Sequence, residues 1–426
     1  MEGAAMKKTD KKRAVTQEAR AVALIAGVAA TVREGLHELV VRSGLGVVAA
    51  LLEADREALC GRRYEHSEHG AHRAGHVAGE LAMGGRRVQM KRPRVRSVGG
   101  RELKLPTWEN FAEMDPLGER AYEQMLIGVA TRKYARSLEP AGAGVEARGT
   151  SKSAVSRRFV AATAARVGEE LARPIGDLRL AAVMIDGIHF GEHVVLIALG
   201  IDETGHKHVL GLREGATENA TSCTALITNL VERGLDTARS LLIVNDGGKA
   251  LRKSVREVFG KRALVQRCQV HKKRNVLDQL PDRMRASVSA ALSQAYASRD
   301  KSQALRLLNN LERRLGKEHP GAAASLREGL EETLTVIGLN LPRALERTLA
   351  TTNPIENLNS LARRTCGRVR RWRSGEMILR WMTAAMSEAT NGFRRLKGHA
   401  GMPLLLAWLK RHDAAIDGDS KHNVAA

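Results

Sequence analysis

The sequence is short of cysteine, of long apolar runs and of acidic residues, and each shortage narrows what the chain can be. Only four cysteines, Cys60, Cys223, Cys268 and Cys366, are spread over 426 residues. That spacing excludes a disulfide-stapled secreted framework and predicts the reducing cytoplasm. The best candidate for a signal or membrane segment, residues 21–32, is shorter than the roughly 18 residues a span requires. Acids at Glu2, Asp10 and Glu18 precede it, and its apolar periodicity continues through Leu36, Leu39 and Val40, as in one amphipathic helix. No membrane association is expected. Asp plus Glu number 47 against 69 Lys plus Arg, a net charge of +22, so the natural partners are polyanions. A hydrophobic share of 43% excludes a disordered basic tail, so the charge decorates folded domains. At about 150 residues per domain the length predicts two or three of them. There is no internal repeat and no long low-complexity tract.

Residues 1–17 are polar and Lys-rich, and residues 18–59 carry helical periodicity with a break near Ser43-Gly44. Residues 60–76 are rich in Gly and His and read as a loop. Residues 84–104 alternate, with eight Lys or Arg against one Glu, and predict a basic β-ribbon. Residues 117–171 are again helical. Within them Ser151 to Arg158, SKSAVSRR, resembles the short second helix of a helix-turn-helix, offering Lys152 and Arg157 to a groove. The plainer reading is a polar surface helix. Arg173-Pro174 ends it.

The texture then changes. Residues 178–190, 193–201 and 207–212 are three strand-like runs, with a turn at Asp202-Glu-Thr-Gly205 between the last two. A helix over 219–234, a strand over 240–244, a helix over 249–259 and a strand over 263–266 follow. Hairpin strands followed by alternating helix and strand predict an α/β domain with a mixed sheet. Residues 276–348 are helical throughout, and residues 354–416 largely so.

Two aspartates end or interrupt the apolar strand runs: Asp186 in VMIDG (183–187) and Asp246 in LIVNDGG (242–248). Each alone reads as a turn cap before glycine. Two on strands of one sheet read instead as a site, because paired carboxylates repel unless a divalent cation joins them, and strand ends are where open α/β sheets place ligands. Glu356, in TTNPIENLNS (351–360), fits a helix start with Asn353 as N-cap, Pro354 at N1 and Glu356 at N3 in a capping box; such a cap also aims the side chain of a third carboxylate. Gly247-Gly248-Lys249 lacks the spacing of a P-loop, so no nucleotide triphosphate is implied.

Four motifs in one order, MIDG (184–187), NDG (245–247), RCQVHKKRN (267–275) and TNPIEN (352–357), resemble those of Mutator-type insertion-sequence transposases. The resemblance covers about residues 180–395. It implies a DDE recombinase with a ribonuclease-H-like catalytic domain, a mixed sheet with flanking helices interrupted by an all-helical insertion and preceded by a mainly helical DNA-binding region. It implies Asp186, Asp246 and Glu356 as catalytic, metal-holding acids, with two Mg²⁺ (or Mn²⁺) ions. The gaps of 60 and 110 residues between them (246 − 186 and 356 − 246) suit that pattern. Domain boundaries follow at 1–60, 61–175, 176–275, 276–348 and 349–426.

Cys268 and His271 match the family's Cys-x-x-His motif and are placed near the site; half a zinc site and a purely structural pair are the other readings. Cys60 with His66, His69, His72 and His76 is either a metal cluster or a solvated loop. Residues 261–274 and 363–373 each carry six basic and no acidic residues. They mark a phosphate path, with Lys272, Lys273, Arg274, Arg363, Arg364, Arg370, Arg371 and Arg373 as contacts. Trp372 is expected to stack on a base or to fill a distorted DNA end, and Trp381 and Trp408 to lie in the core. The implied partners are double-stranded DNA and a second copy of the chain, since two element ends must be synapsed. A catalytically dead DNA-binding regulator and a nuclease without strand transfer are the competing functions.

Overall fold

A computed structural model describes residues 32–33, 35–64, 70–114, 116–142, 144–215, 220–367 and 369–424. Its backbone clusters into two compact units, Met1–Ala162 and Thr163–Ala426. His66 and His69, and the apolar candidate at 21–32 except Val32, lie outside the described residues.

The first unit begins with α1 (Gly35–Cys60). This helix is long and apolar enough to cross a membrane, with an 18-residue window of mean hydropathy 1.5, a run that the reading of 21–32 overlooked. Its Val48, Leu52 and Cys60 pack with Leu81, Val95 and Leu105 in the unit's core. No break occurs at Ser43-Gly44. Gly44 lies under the end of the Met83 side chain, where a Cβ would come to 3.1 Å from Cε. Strands β1 (Ala71–Met83) and β2 (Arg86–Ser97) form one long antiparallel hairpin. Gly84 and Gly85 both have positive φ, 59° and 80°, as a two-residue loop twisted to suit its strands requires. The basic ribbon therefore starts at residue 71 rather than 84, and His72 and His76 sit on a strand opposite Arg96 and Pro93. The sequence hid β1 because His72, Gly75, His76 and Ala78 fill its exposed positions. Two-residue strands β3 (Glu102–Leu103) and β4 (Ala147–Arg148) pair with β2; helices α2 (Pro106–Glu113) and α3 (Pro116–Leu126) lie between them. The segment expected as a short recognition helix is the start of α4 (Lys152–Ala172), 21 residues long, with Lys152 and Arg157 exposed.

The second unit is a mixed α/β arrangement. Strands β5 (Leu180–Phe190), β6 (His193–Asp202) and β7 (Lys207–Gly215) run antiparallel, while β8 (Leu241–Asn245) and β9 (Ala263–Arg267) add in parallel, in the order β7-β6-β5-β8-β9. Helices α5 (Ala220–Glu232) and α6 (Lys249–Phe259) supply the crossovers and bury Leu226, Leu230, Leu251 and Val255 against Val183, Ile185 and Ile243 on one sheet face. This layout follows the predicted runs closely.

Helices α7 (Gln269–Asp278), α8 (Asp282–Ala297), α9 (Lys301–Glu318), α10 (Pro320–Arg327), α11 (Thr335–Gly338) and α12 (Arg343–Leu349) follow without a strand. They carry a separate core built on Val276, Leu292, Leu308, Leu315, Leu326 and Ile337. The chain returns through α13 (Asn353–Cys366), α14 (Gly375–Thr390) and α15 (Met402–Val424).

Lys272, expected at a DNA phosphate, is fully buried instead. Its Nζ donates to the carbonyls of Ser325 and Glu328 at the C-terminal end of α10, where carbonyls lack helical partners and the helix dipole favours a cation. Burial, the largest cause, lowers its proton affinity to a pKa of about 8. Arg267 donates to the same Glu328 carbonyl at 2.7 Å. Lys272→Ala is expected to lower the unfolding free energy by about 2–4 kcal/mol. Denaturant unfolding reads the loss, and a change below about 0.5 kcal/mol, typical of a surface lysine, overturns the capping role.

Candidate active site

Strand register sets the first two acids side by side. Met184 on β5 is paired with Val244 on β8, and Asp186 and Asp246 each lie two residues farther along their parallel segments. Ile185 belongs to the core under α5 and α6, so alternation turns Met184 and Asp186 to the opposite face. There α13 packs on β5, and Asn359 Nδ2 donates to Asp186 Oδ2 at 2.8 Å. Asp246 also keeps a local task, accepting from the Gly248 N–H at 2.9 Å. Between these residues Gly247 adopts φ +99°, and a Cβ on it would lie 1.9 Å from Arg267 Nε. Conformation and contact therefore both demand glycine there.

Glu356 enters from α13, but not as a capping box. Thr352, not Asn353, is the N-cap residue, and its hydroxyl makes no cap bond to the backbone. It donates to Glu356 Oε1 at 2.6 Å. Thr352 Oγ1 also lies 3.3 Å from Cys268 Sγ and 3.3 Å from His271 Nδ1, while the Thr352 N–H points to Sγ at 3.4 Å. Cys268, His271 and Glu356 bring their ligand atoms within 4.8 Å of one another, the spacing of a metal trio. Thr352 Oγ1 already bonds to all three, so the group is satisfied as a hydrogen-bonded hub. Backbone bonds fix this meeting: Cys268 N–H to Asn245 O at 2.7 Å, and Gln269 N–H to Ala350 O at 3.0 Å.

The electrostatics record the crowding. Burial, then the charge of Asp246 and, less, that of Glu356 raise Asp186 to a pKa of about 6, against the opposing effects of His271 and the Gly187 N–H. Burial pushes the Cys268 thiol up, but hydrogen bonds with His271 and Thr352 outweigh it and hold the thiol below its ordinary value. The bond to Cys268 raises His271 despite burial, helped by Glu356 and Asp186; His271 Nε2 stands 3.8 Å from Glu356 Oε1.

Arg363, Arg364, Arg370, Arg371 and Arg373 are exposed around α13 and the segment after it, as is Arg274 on α7. Lys273 is half-buried and donates to Ser293 at 2.8 Å. Trp372 is not a free stacking platform. It is half-buried and meets Phe190 edge-on, 5.0 Å between centroids, which anchors the 370–373 segment to the end of β5. Trp381 is buried as expected, while Trp408 is half-buried against His412. Thr352 and Asn359 escaped the sequence reading. Their signals were a hydroxyl residue four before an acid and a polar residue among the buried positions 355, 358 and 362.

Asp186→Asn is expected to stabilise the metal-free protein by about 1–3 kcal/mol at pH 7.5. A carboxyl raised from about 3.9 to about 6 holds its proton between those values when folded but not when unfolded. Wild-type stability from this group therefore falls as pH rises through that window, and the variant's advantage shrinks toward pH 4. Thermal unfolding in EDTA at pH 4.5 and 7.5 measures it; an equal difference at both values overturns the coupling.

The sequence profile of the family described as "Transposase, Mutator family" matches residues 15–395. The transposase for insertion sequence element ISRM5 of Rhizobium meliloti (strain 1021) is 28% identical over 379 residues, covering 87% of this chain and 91% of that protein. The transposase for insertion sequence element IS406 of Burkholderia multivorans is 30% identical over 249 residues, 55% of this chain and 62% of the relative. That for IS6120 of Mycolicibacterium smegmatis is 30% identical over 200 residues, 44% and 60%. With a profile matched across most of its length, the chain belongs to the Mutator family of transposases.

Proposed function

We propose that the protein cuts and joins DNA at the ends of its own insertion sequence, with Asp186, Asp246 and Glu356 as the catalytic acids of a ribonuclease-H-like domain. The observation that carries this reading is the placement of Asp186 on β5, Asp246 at the end of the neighbouring β8 and Glu356 on α13, the helix that packs on β5 and bonds to Asp186 through Asn359. Hard oxygen donors of like charge, two at strand ends and one on a helix, suit Mg²⁺ or Mn²⁺, and cations would offset the excess negative charge that, after burial, helps to raise Asp186. Two such ions, when bound, supply activation of a water and then of a DNA 3′-hydroxyl for in-line attack on a phosphodiester.

The chain's own residues do the rest. The two aspartates and Glu356 hold the site, and Thr352, backed by Cys268 and His271, orients Glu356. The exposed Arg363, Arg364, Arg370, Arg371, Arg373 and Arg274, with Lys273, draw the phosphate backbone across it. Residues 61–175, with the basic hairpin and with Lys152 and Arg157 at the start of α4, recognise the terminal inverted repeats. Joining two ends requires at least two copies of the chain, acting in the bacterial cytoplasm at the nucleoid.

The test is cleavage and end-joining on DNA carrying the flanking inverted repeats, by wild type and Asp246→Asn, in Mg²⁺ or EDTA. Wild type is expected to nick and join in Mg²⁺ only. The variant should lose about a thousandfold or more of both activities and bind the DNA as before. Undiminished cleavage by the variant overturns the acid assignment, metal-dependent cutting without joining identifies a nuclease, and tight binding without cutting by wild type identifies a regulator.

A further inference from the structure

Asn359 stands three residues after Glu356 on α13, one helical turn along the same side. It is 6% exposed, and a buried amide is costly unless both of its polar atoms find partners. Only one does. Nδ2 donates to Asp186 Oδ2 at 2.8 Å, whereas the geminal Oδ1 is buried with no hydrogen-bond partner. The reversed amide would set its oxygen against a carboxylate oxygen, two acceptors face to face, so the donor orientation is the stable one. An apolar residue at 359 would complete the stripe of Ile355, Leu358, Ala362 and Cys366 without an unmet acceptor. The position therefore carries a stability cost, and what that cost secures is one N–H directed at one oxygen of Asp186.

We infer that Asn359 is a positioning residue for cation binding. By holding Oδ2 it fixes, together with the Gly187 N–H, the plane in which the Asp186 carboxylate meets a divalent ion. Because Asn359 and Glu356 share a helix, the same bond also sets the helix that presents Glu356 relative to β5. Partners of this kind orient ligating side chains, and their removal typically reduces metal affinity about 10–100-fold. The inference rests on the reading of Asp186 as a metal ligand.

The test compares wild type, Asn359→Ala, Asn359→Leu and Asp186→Asn in two measurements: the rise in unfolding temperature on adding Mn²⁺ to DNA-free protein, and the Mg²⁺ concentration giving half-maximal cleavage. Asn359→Leu nearly preserves the volume and removes the donor, so packing is kept where Ala leaves a cavity. Both Asn359 variants are expected to need about tenfold or more Mn²⁺ for the same temperature rise, with a matching increase in the Mg²⁺ requirement and unchanged DNA affinity. Wild-type metal dependence in Asn359→Leu overturns the inference, since a residue needed only for packing is rescued by Leu. If Asp186→Asn also keeps the full Mn²⁺ response, the reading of the site has failed; if Asp186→Asn loses it while Asn359→Leu retains it, the inference about Asn359 alone has failed.

Discussion

Like charges gathered on one face of a sheet repel, and the second unit is organised around withstanding that repulsion. Burial is the larger cost to Asp186, and the charges of Asp246 and Glu356 add to it. Asp186, raised to a pKa of about 6, carries the consequence. Free side chains would relieve the strain by swinging apart. Here each is restrained by a different device: Asp186 by the Asn359 amide, Asp246 by the Gly248 N–H and Glu356 by the Thr352 hydroxyl. The restraints come from hydrogen bonds to neutral groups, so they hold the acids in place without cancelling the charge that attracts a cation.

Those restraints need a rigid foundation, and buried cations provide part of it. Arg267 at the end of β9 packs against Gly247 and reaches the Glu328 carbonyl, while Lys272 on α7 reaches the same carbonyl and that of Ser325. The helical segment is thereby fastened to the turn that bears Asp246. A cation buried this way is costly on its own, but here it supplies donors to helix-end carbonyls that otherwise have none.

Much of this was legible in sequence because it follows from period and spacing. The strands at 180–190, 193–202, 207–215, 241–245 and 263–267 are nearly continuous apolar runs bounded by turn residues, and the interrupting Asp186 and terminal Asp246 stand out against them. The four ordered motifs single out the same three acids as candidates. What stayed hidden depends on contacts between distant segments. Lys272 lies in a basic run and reads as a surface residue; only the arrival of the α10 carbonyls makes it internal. Trp372 reads as exposed until Phe190 is placed beside it. The first strand of the basic hairpin is hard to read because its exposed positions carry His, Gly and Ala instead of β-branched residues.

The long separation of Asp246 from Glu356 along the chain poses a closing problem, since an entropic penalty attends any loop that must return to a fixed point. The structure meets it locally. Cys268 bonds to Asn245 on one side and to Thr352 on the other, and the Gln269 N–H meets the Ala350 carbonyl, so the chain leaves and re-enters the site through adjacent, hydrogen-bonded residues. Residues 270–349 fold on a core of their own between those two points. Their length therefore has little bearing on where Glu356 arrives; the Cys268–Thr352 junction decides it. Through Thr352, Cys268 and His271 are hydrogen-bonded to the residue that opens α13, so the Cys-x-x-His segment joins the end of β9 to the helix that carries Glu356.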